Sequence, residues 1–139
     1  MSSLEQGGCL CGAYRYEFNR DRVLSSFHCH CKDCRKTTGS GKSTIVLIPD
    51  DAVSTWGNLK TYTVTGSQGA HVSRGFCDTC GSQVSSQVEE MPGLRMIKAG
   101  TLDDGTWLKV QSSCWGVTAQ PWAPVDEDGA VFERNPELV

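Results

Sequence analysis

Seven of the eight cysteines in this 139-residue chain fall into three tight groups: Cys9/Cys11, Cys29/Cys31/Cys34 and Cys77/Cys80. Disulfide frameworks tend to pair cysteines far apart in sequence, where a cross-link restricts the unfolded chain most. Two or three cysteines so close together are instead the pattern of metal chelation. The N-terminal stretch Met1-Ser2-Ser3-Leu4-Glu5-Gln6-Gly7-Gly8 has no basic or apolar signal region. The expected compartment is therefore the cytoplasm, where reducing conditions favour thiols as ligands over disulfides. A chain of this length buries enough surface to fold without covalent help, so residues 1–139 are read as one zinc-binding domain.

Spacing divides the thiols by task. Phe76-Cys77-Asp78-Thr79-Cys80-Gly81 reads as a zinc knuckle, and Gly8-Cys9-Leu10-Cys11-Gly12 as a second half-site. In each, the glycine behind the second cysteine lets the chain turn sharply, so that backbone N–H groups point at the sulfurs. Two plus two gives a closed four-thiolate tetrahedron, the usual structural zinc site. Cys29, Cys31 and Cys34 have no neighbouring pair to complete them. Three protein ligands and one open position are what a catalytic zinc needs. Two Zn2+ per chain are thus expected. If the segment is extended, His28 and His30 alternate with the thiols and point away, which makes them surface or hydrogen-bonded rings. The competing reading closes this second zinc with a histidine or with Cys114 and makes it structural too. Cys114 otherwise reads as a small buried hydrophobe.

The rest of the chain reads as mainly β, with about seven short strands and one or two short helices. Ala13-Tyr14-Arg15-Tyr16-Glu17-Phe18 alternates, and Ser43-Thr44-Ile45-Val46-Leu47-Ile48 is a β-branched run ended by Pro49. Further strands are expected over Leu59–Val64, Ala70–Phe76, Ser82–Val88, Leu94–Ala99 and Trp107–Cys114. A helical turn or two is expected near Lys32–Thr38, ended by Gly39, with another short helix over Asp50–Trp56. The tail from Ala119 reads as irregular. The net charge of −3 leaves no excess of cations for nucleic acid, and no run of apolar residues is long enough to span a membrane. Gly39-Ser40-Gly41-Lys42-Ser43-Thr44 imitates a phosphate loop, but Lys36 stands where that motif needs its first glycine.

Taken in order, Cys9-Leu10-Cys11-Gly12, Cys29-His30-Cys31-Lys32-Asp33-Cys34-Arg35-Lys36 and Arg74-Gly75-Phe76-Cys77-Asp78-Thr79-Cys80-Gly81 resemble the glutathione-dependent formaldehyde-activating enzyme (GFA) family, to which centromere protein V is also related. Ala99-Gly100-Thr101-Leu102-Asp103-Asp104 and Ala119-Gln120-Pro121-Trp122-Ala123-Pro124 look similar to it as well. The resemblance implies coiled β-sheets around zinc, a β-tent-like fold. It implies a structural zinc on Cys9, Cys11, Cys77 and Cys80, and an active-site zinc on Cys29, Cys31 and Cys34. The implied reaction joins a small thiol, glutathione in the family's name, to formaldehyde as S-(hydroxymethyl)glutathione, a carbon–sulfur lyase step in reverse. Arg35, Lys36 and Arg74 are candidates to bind a substrate carboxylate, and Trp122 to wall the pocket. Two alternatives stand beside this reading: a zinc-stabilised binding module without catalysis, and a zinc enzyme of different chemistry in a small-molecule pathway.

Overall fold

The computed structural model describes residues 3–66 and 68–136. Residues 1, 2, 67 and 137–139, expected in the single domain, in the loop before Ala70 and in the irregular tail, lie outside the described residues. In chain order the strands are β1 (Leu4–Gly8), β2 (Arg15–Asn19), β3 (Ser25–Cys29), β4 (Ser43–Pro49), β5 (Val53–Trp56), β6 (Lys60–Thr65), β7 (His71–Phe76), β8 (Gln83–Val88), β9 (Leu94–Lys98), β10 (Ser112–Cys114) and β11 (Ala130–Val131). One α-helix, α1 (Lys32–Thr38), lies between β3 and β4. Three strands form an antiparallel sheet in the order β1-β2-β5. The other eight form a second sheet in the order β11-β10-β3-β4-β9-β8-β7-β6.

The alternation in β2 does what its period requires. Tyr14, Tyr16 and Phe18 are buried, and they pack with Val46, Ile48, Val84 and Ile97 of the larger sheet. That contact joins the two sheets, and each large side chain removed from water contributes roughly 1.5–3 kcal/mol. Both faces of β4 are used. Val46 and Ile48 enter this main core, while Ile45 packs on the opposite face with Cys29, Cys34 and Cys114. Its unbroken apolar run is therefore a consequence of burial on both sides. On the same side as the main core, Glu5 pairs with Arg20 at 2.7 Å, and the Arg20 guanidinium lies over the Trp107 ring.

Several elements depart from expectation. Asp50–Trp56 is a helix only at Asp50–Ala52, which is 3-10; the β-branched remainder becomes β5 because it pairs with β2. Of Trp107–Cys114 only the last three residues form a strand. The earlier ones are held by other bonds: the Trp107 indole donates to the Asp104 carbonyl at 2.8 Å, and the Ser26 hydroxyl donates to the Lys109 carbonyl at 2.7 Å. In the tail, Ala130–Val131 adds to β10 as a short parallel edge. α1 is as expected, closed by Gly39 in the left-handed conformation at φ 70°. No helix among the described residues is long and apolar enough to cross a membrane.

Candidate metal centres

Cys9 and Cys11 follow β1, and Cys77 and Cys80 occupy the turn between β7 and β8. The fold brings these four sulfurs within 4.8 Å of one another. The Cys9–Cys11 and Cys11–Cys77 sulfurs are both 3.7 Å apart. A zinc–sulfur bond of about 2.3 Å gives a tetrahedral edge of about 3.8 Å, so the group fits a divalent ion at its centre. It does not fit disulfides, whose sulfurs are about 2.05 Å apart. The expected turns are present: Gly12 and Gly81 lie at φ 81° and 79°. The N–H groups of Tyr14, after Gly12, and of Thr79, inside the knuckle, donate to the Cys9 and Cys77 sulfurs at 3.3 and 3.4 Å. The Ser82 hydroxyl and N–H hold the Cys80 thiol down at about 5. Cys11 is pushed up to about 11: an N–H from Ala13 pulls it down, but burial and the neighbouring thiols outweigh that pull. Thiols crowded this closely compete for ionisation until a cation joins them.

No atom would crowd a Cβ at Gly81, so the cost of Gly81→Ala is the left-handed backbone alone. We expect the variant to keep its metal and lose roughly 1–2 kcal/mol in a denaturant titration.

The second group forms where β3 runs into α1. Cys29 ends the strand, Cys31 caps the helix by accepting the Cys34 N–H at 3.3 Å, and Cys34 lies in the first helical turn. Their sulfurs also lie within 4.8 Å of one another. Hydrogen bonds from the Cys29 and Cys31 thiols, helped by the charges of Lys98 and Arg74, hold Cys34 well below the usual thiol range. Cys29 is pushed up first by its hydrogen bond with the Cys114 thiol, and Cys31 by those with Cys29 and Cys34. Three soft donors this close together again suit a thiophilic divalent ion. Cys114 sits opposite Cys29 in the β10–β3 register and is buried beside it, but it lies outside the mutually close trio.

Neither histidine joins this group. The His28 ring bonds the Thr44 hydroxyl at 2.8 Å, as a hydrogen-bonded ring should. His30 departs from that expectation: it is fully buried, and neither ring nitrogen has a partner among the described residues.

A cavity of about 430 Å3 opens directly on the three thiols. Its wall is one face of the larger sheet, read across the strands in two rows. Ser112, Phe27, Ile45 and Lys98 are successive register partners, as are Ser25, Leu47, Met96, Ser86 and Arg74. Partners in register present their side chains to the same face. Trp115 completes the wall, held in the left-handed region at φ 58°, with its indole donating to Asn135 at 2.7 Å. Of the expected substrate residues, Arg74 is on the wall. Arg35, Lys36 and Trp122 are not among the described residues that line it. Trp122 is exposed and packs with Ala123 against Gly41, where a Cβ would collide. Lys98 was not singled out from the sequence, yet it shares the inward face of β9 with Met96. A lysine in phase with Leu94 and Met96 was the available signal.

The family model for glutathione-dependent formaldehyde-activating enzymes matches residues 4–118. The chain belongs to the GFA family. A Talaromyces marneffei protein whose name assigns it to the same family is 31% identical over 118 residues, covering 80% of this chain and 63% of that protein. A Penicillium rubens protein named in the same way is 28% identical over 107 residues, covering 74% of this chain and 56% of that protein. The chain thus spans about three-fifths of the length of these GFA relatives. A crystal structure of a Rhodobacter sphaeroides protein shares the fold, with a TM-score of 0.57 at 19% identity over 91% of this chain and 98% of that one. The GFA match contains both thiol groups, Arg74 and Lys98; Trp122 lies beyond it.

Proposed function

We propose that this chain is a zinc-dependent GFA enzyme that joins a small thiol to an aldehyde, or separates the two, as in S-(hydroxymethyl)glutathione formation. One observation carries the proposal: the cavity opens on the group with three thiols and not on the group with four. Cys9, Cys11, Cys77 and Cys80 would hold a structural zinc, and Cys29, Cys31 and Cys34 a second, with the whole forming one domain. When bound there, the second zinc supplies a Lewis acid and a position for a soft donor.

The balanced step is addition of the thiol across the carbonyl. The sulfur bonds to the carbonyl carbon, the C=O π pair moves to oxygen, and the thiol proton ends there; the reverse breaks the C–S bond. The chain's own groups favour it electrostatically. Lys98 and Arg74 face the cavity and favour the negative charge that passes from sulfur to oxygen. The walls formed by Phe27, Leu47, Val72 and Met96 exclude water from the adduct. Seven of the eight cysteines gather in groups that suit metal rather than disulfides, which supports a reducing, cytoplasmic location.

The test follows exchange between 13C-formaldehyde and glutathione by NMR in the presence of the zinc-loaded protein. We expect Cys31→Ser to lower the catalysed rate by about tenfold or more, by analogy with outer-shell losses of that size. Unchanged turnover in a folded Cys31→Ser protein would refute the proposal.

A further inference from the structure

Among the described residues, Trp115 is the one non-glycine with a positive φ, at φ 58° and ψ 38°. A bulky side chain resists that conformation because its Cβ crowds the neighbouring carbonyl, so other contacts must hold it there. The segment around Ala130–Val131 supplies them. Phe132 N–H donates to the Ser113 carbonyl at 2.8 Å, Gly116 N–H to the Phe132 carbonyl at 3.0 Å and Trp115 N–H to the Arg134 carbonyl at 3.3 Å. The indole N–H is tied separately, to Asn135 Oδ1 at 2.7 Å. Backbone and ring are thus pinned by one segment, which lies beyond residue 118, where the GFA match ends. Glycine would make the same turn without the steric cost, as Gly39 and Gly81 do elsewhere, so the turn alone does not call for a tryptophan. Strain kept up in this way gathers at functional sites.

The pinned residue adjoins the second thiol group. Cys114, just before it, is the register partner of Cys29, and Trp115 packs against the cluster of Cys29, Cys34, Ile45 and Cys114. Trp115 also lines the cavity, as do Asn135 and Pro136. A thiol whose sulfur joins an ion held by Cys29, Cys31 and Cys34 therefore has its first carbon beside this ring. The ring cannot step back to admit a branch there, because its N–H and its backbone are both held. The rest of the cavity, about 430 Å3 in all, is roomy and mixes Leu47 and Val72 with Asp33, Gln68 and Glu90, so it discriminates less among thiol bodies. We infer that Trp115 is a specificity-determining residue that restricts the site to primary thiols, unbranched at the carbon bearing the sulfur, with Asn135 as its positioning residue. The inference rests on the thiol chemistry proposed above and narrows its substrate class.

Binding decides it, measured by calorimetry on the zinc-loaded full chain. The probes are 1-butanethiol, 3-methyl-1-butanethiol and 2-methyl-2-propanethiol, of which only the last is branched at the carbon bearing the sulfur. The unmodified protein should bind 1-butanethiol about tenfold or more tightly than 2-methyl-2-propanethiol, the effect of a misplaced methyl group in a fitted pocket, and 3-methyl-1-butanethiol about as tightly as 1-butanethiol. Trp115→Gly, which suits the left-handed backbone and removes the ring, should cut that preference by about tenfold and leave zinc content unchanged. Asn135→Leu should relax the preference about threefold, the worth of one hydrogen bond, while Asn135→Asp, which keeps an acceptor oxygen for the indole, should preserve it. Equal binding of 1-butanethiol and 2-methyl-2-propanethiol to the unmodified protein overturns the inference, whether or not the variants fold. An unchanged preference in a folded Trp115→Gly protein overturns it too, while keeping the thiol reading. An Asn135→Asp protein that behaves as Asn135→Leu does overturns the role given to Asn135. Binding of none of the three thiols overturns the thiol reading and the inference with it.

Discussion

Cys77→Ser is expected to yield a chain with no cooperative thermal transition and without the metal of the four-thiol group. Cys77 is 2% exposed and sits in the main core with Val84 and Phe18. Its sulfur is 3.7 Å from that of Cys11, so the group ties the segment after β1 in the small sheet to the β7–β8 turn of the large one. A structural zinc of this kind contributes about 10–16 kcal/mol of binding free energy to folding. The whole stability of an ordinary domain is about 5–15 kcal/mol, so the loss takes most or all of it. The serine also buries a hydroxyl in place of a sulfur, which adds to the cost. Circular dichroism melts together with zinc analysis measure this. A Cys77→Ser protein that melts within a few degrees of the unmodified one, with two zinc ions still bound, would show that the four thiols do not hold the fold.

How far the site was legible depended on whether the signal was local. The thiol grouping and the knuckle glycines are local, since chelation and left-handed turns constrain residues a few positions apart. The inward face of β2 was legible for the same reason, because Tyr14, Tyr16 and Phe18 alternate against water. β1 was not: Leu4-Glu5-Gln6-Gly7-Gly8 has neither β-branched residues nor alternation, and it becomes a strand by pairing with β2. β3 was legible only conditionally, since Ser25-Ser26-Phe27-His28-Cys29 takes its extended form between β10 and β4. The substrate wall was the least legible part. Arg35 and Lys36 are close to the thiols in sequence, yet they lie off the wall, whereas Lys98 reaches it through the β4–β9 pairing. Which cation faces a cavity is set by sheet order, and no local pattern encodes that.

The same reasoning gives Cys34→Ser the opposite outcome to Cys77→Ser: a folded protein with one metal and little activity. Cys34 is also buried, but its cluster is small and lies on the face of β4 away from the main core. The helix that carries it keeps its other ties, with the Thr38 hydroxyl donating to the Cys34 carbonyl at 2.8 Å and Gly39 N–H to the Arg35 carbonyl at 2.9 Å. Beyond the small cost of burying a hydroxyl in place of a sulfur, what the variant loses is the stabilisation by an ion that binds only the folded state, about 3 kcal/mol at a hundredfold excess over its dissociation constant. At roughly 4 °C per kcal/mol for a chain of this size, the melt should fall by about 12 °C and remain cooperative. Activity should fall much further. Loss of an outer-shell partner already costs about 10–100-fold, and Cys34 is a proposed ligand itself, so turnover should drop at least about a hundredfold. Acid provides an independent check on the unmodified protein. Metal binding needs the thiolate forms, and a group with three donors holds its ion less tightly than one with four, so lowering the pH should release the second metal before the first. Zinc release with two pH midpoints, the higher one coinciding with loss of turnover and the lower one with unfolding, is the expected record. A single midpoint for metal, activity and fold, or a Cys34→Ser chain that unfolds as Cys77→Ser does, would mean that both groups are structural.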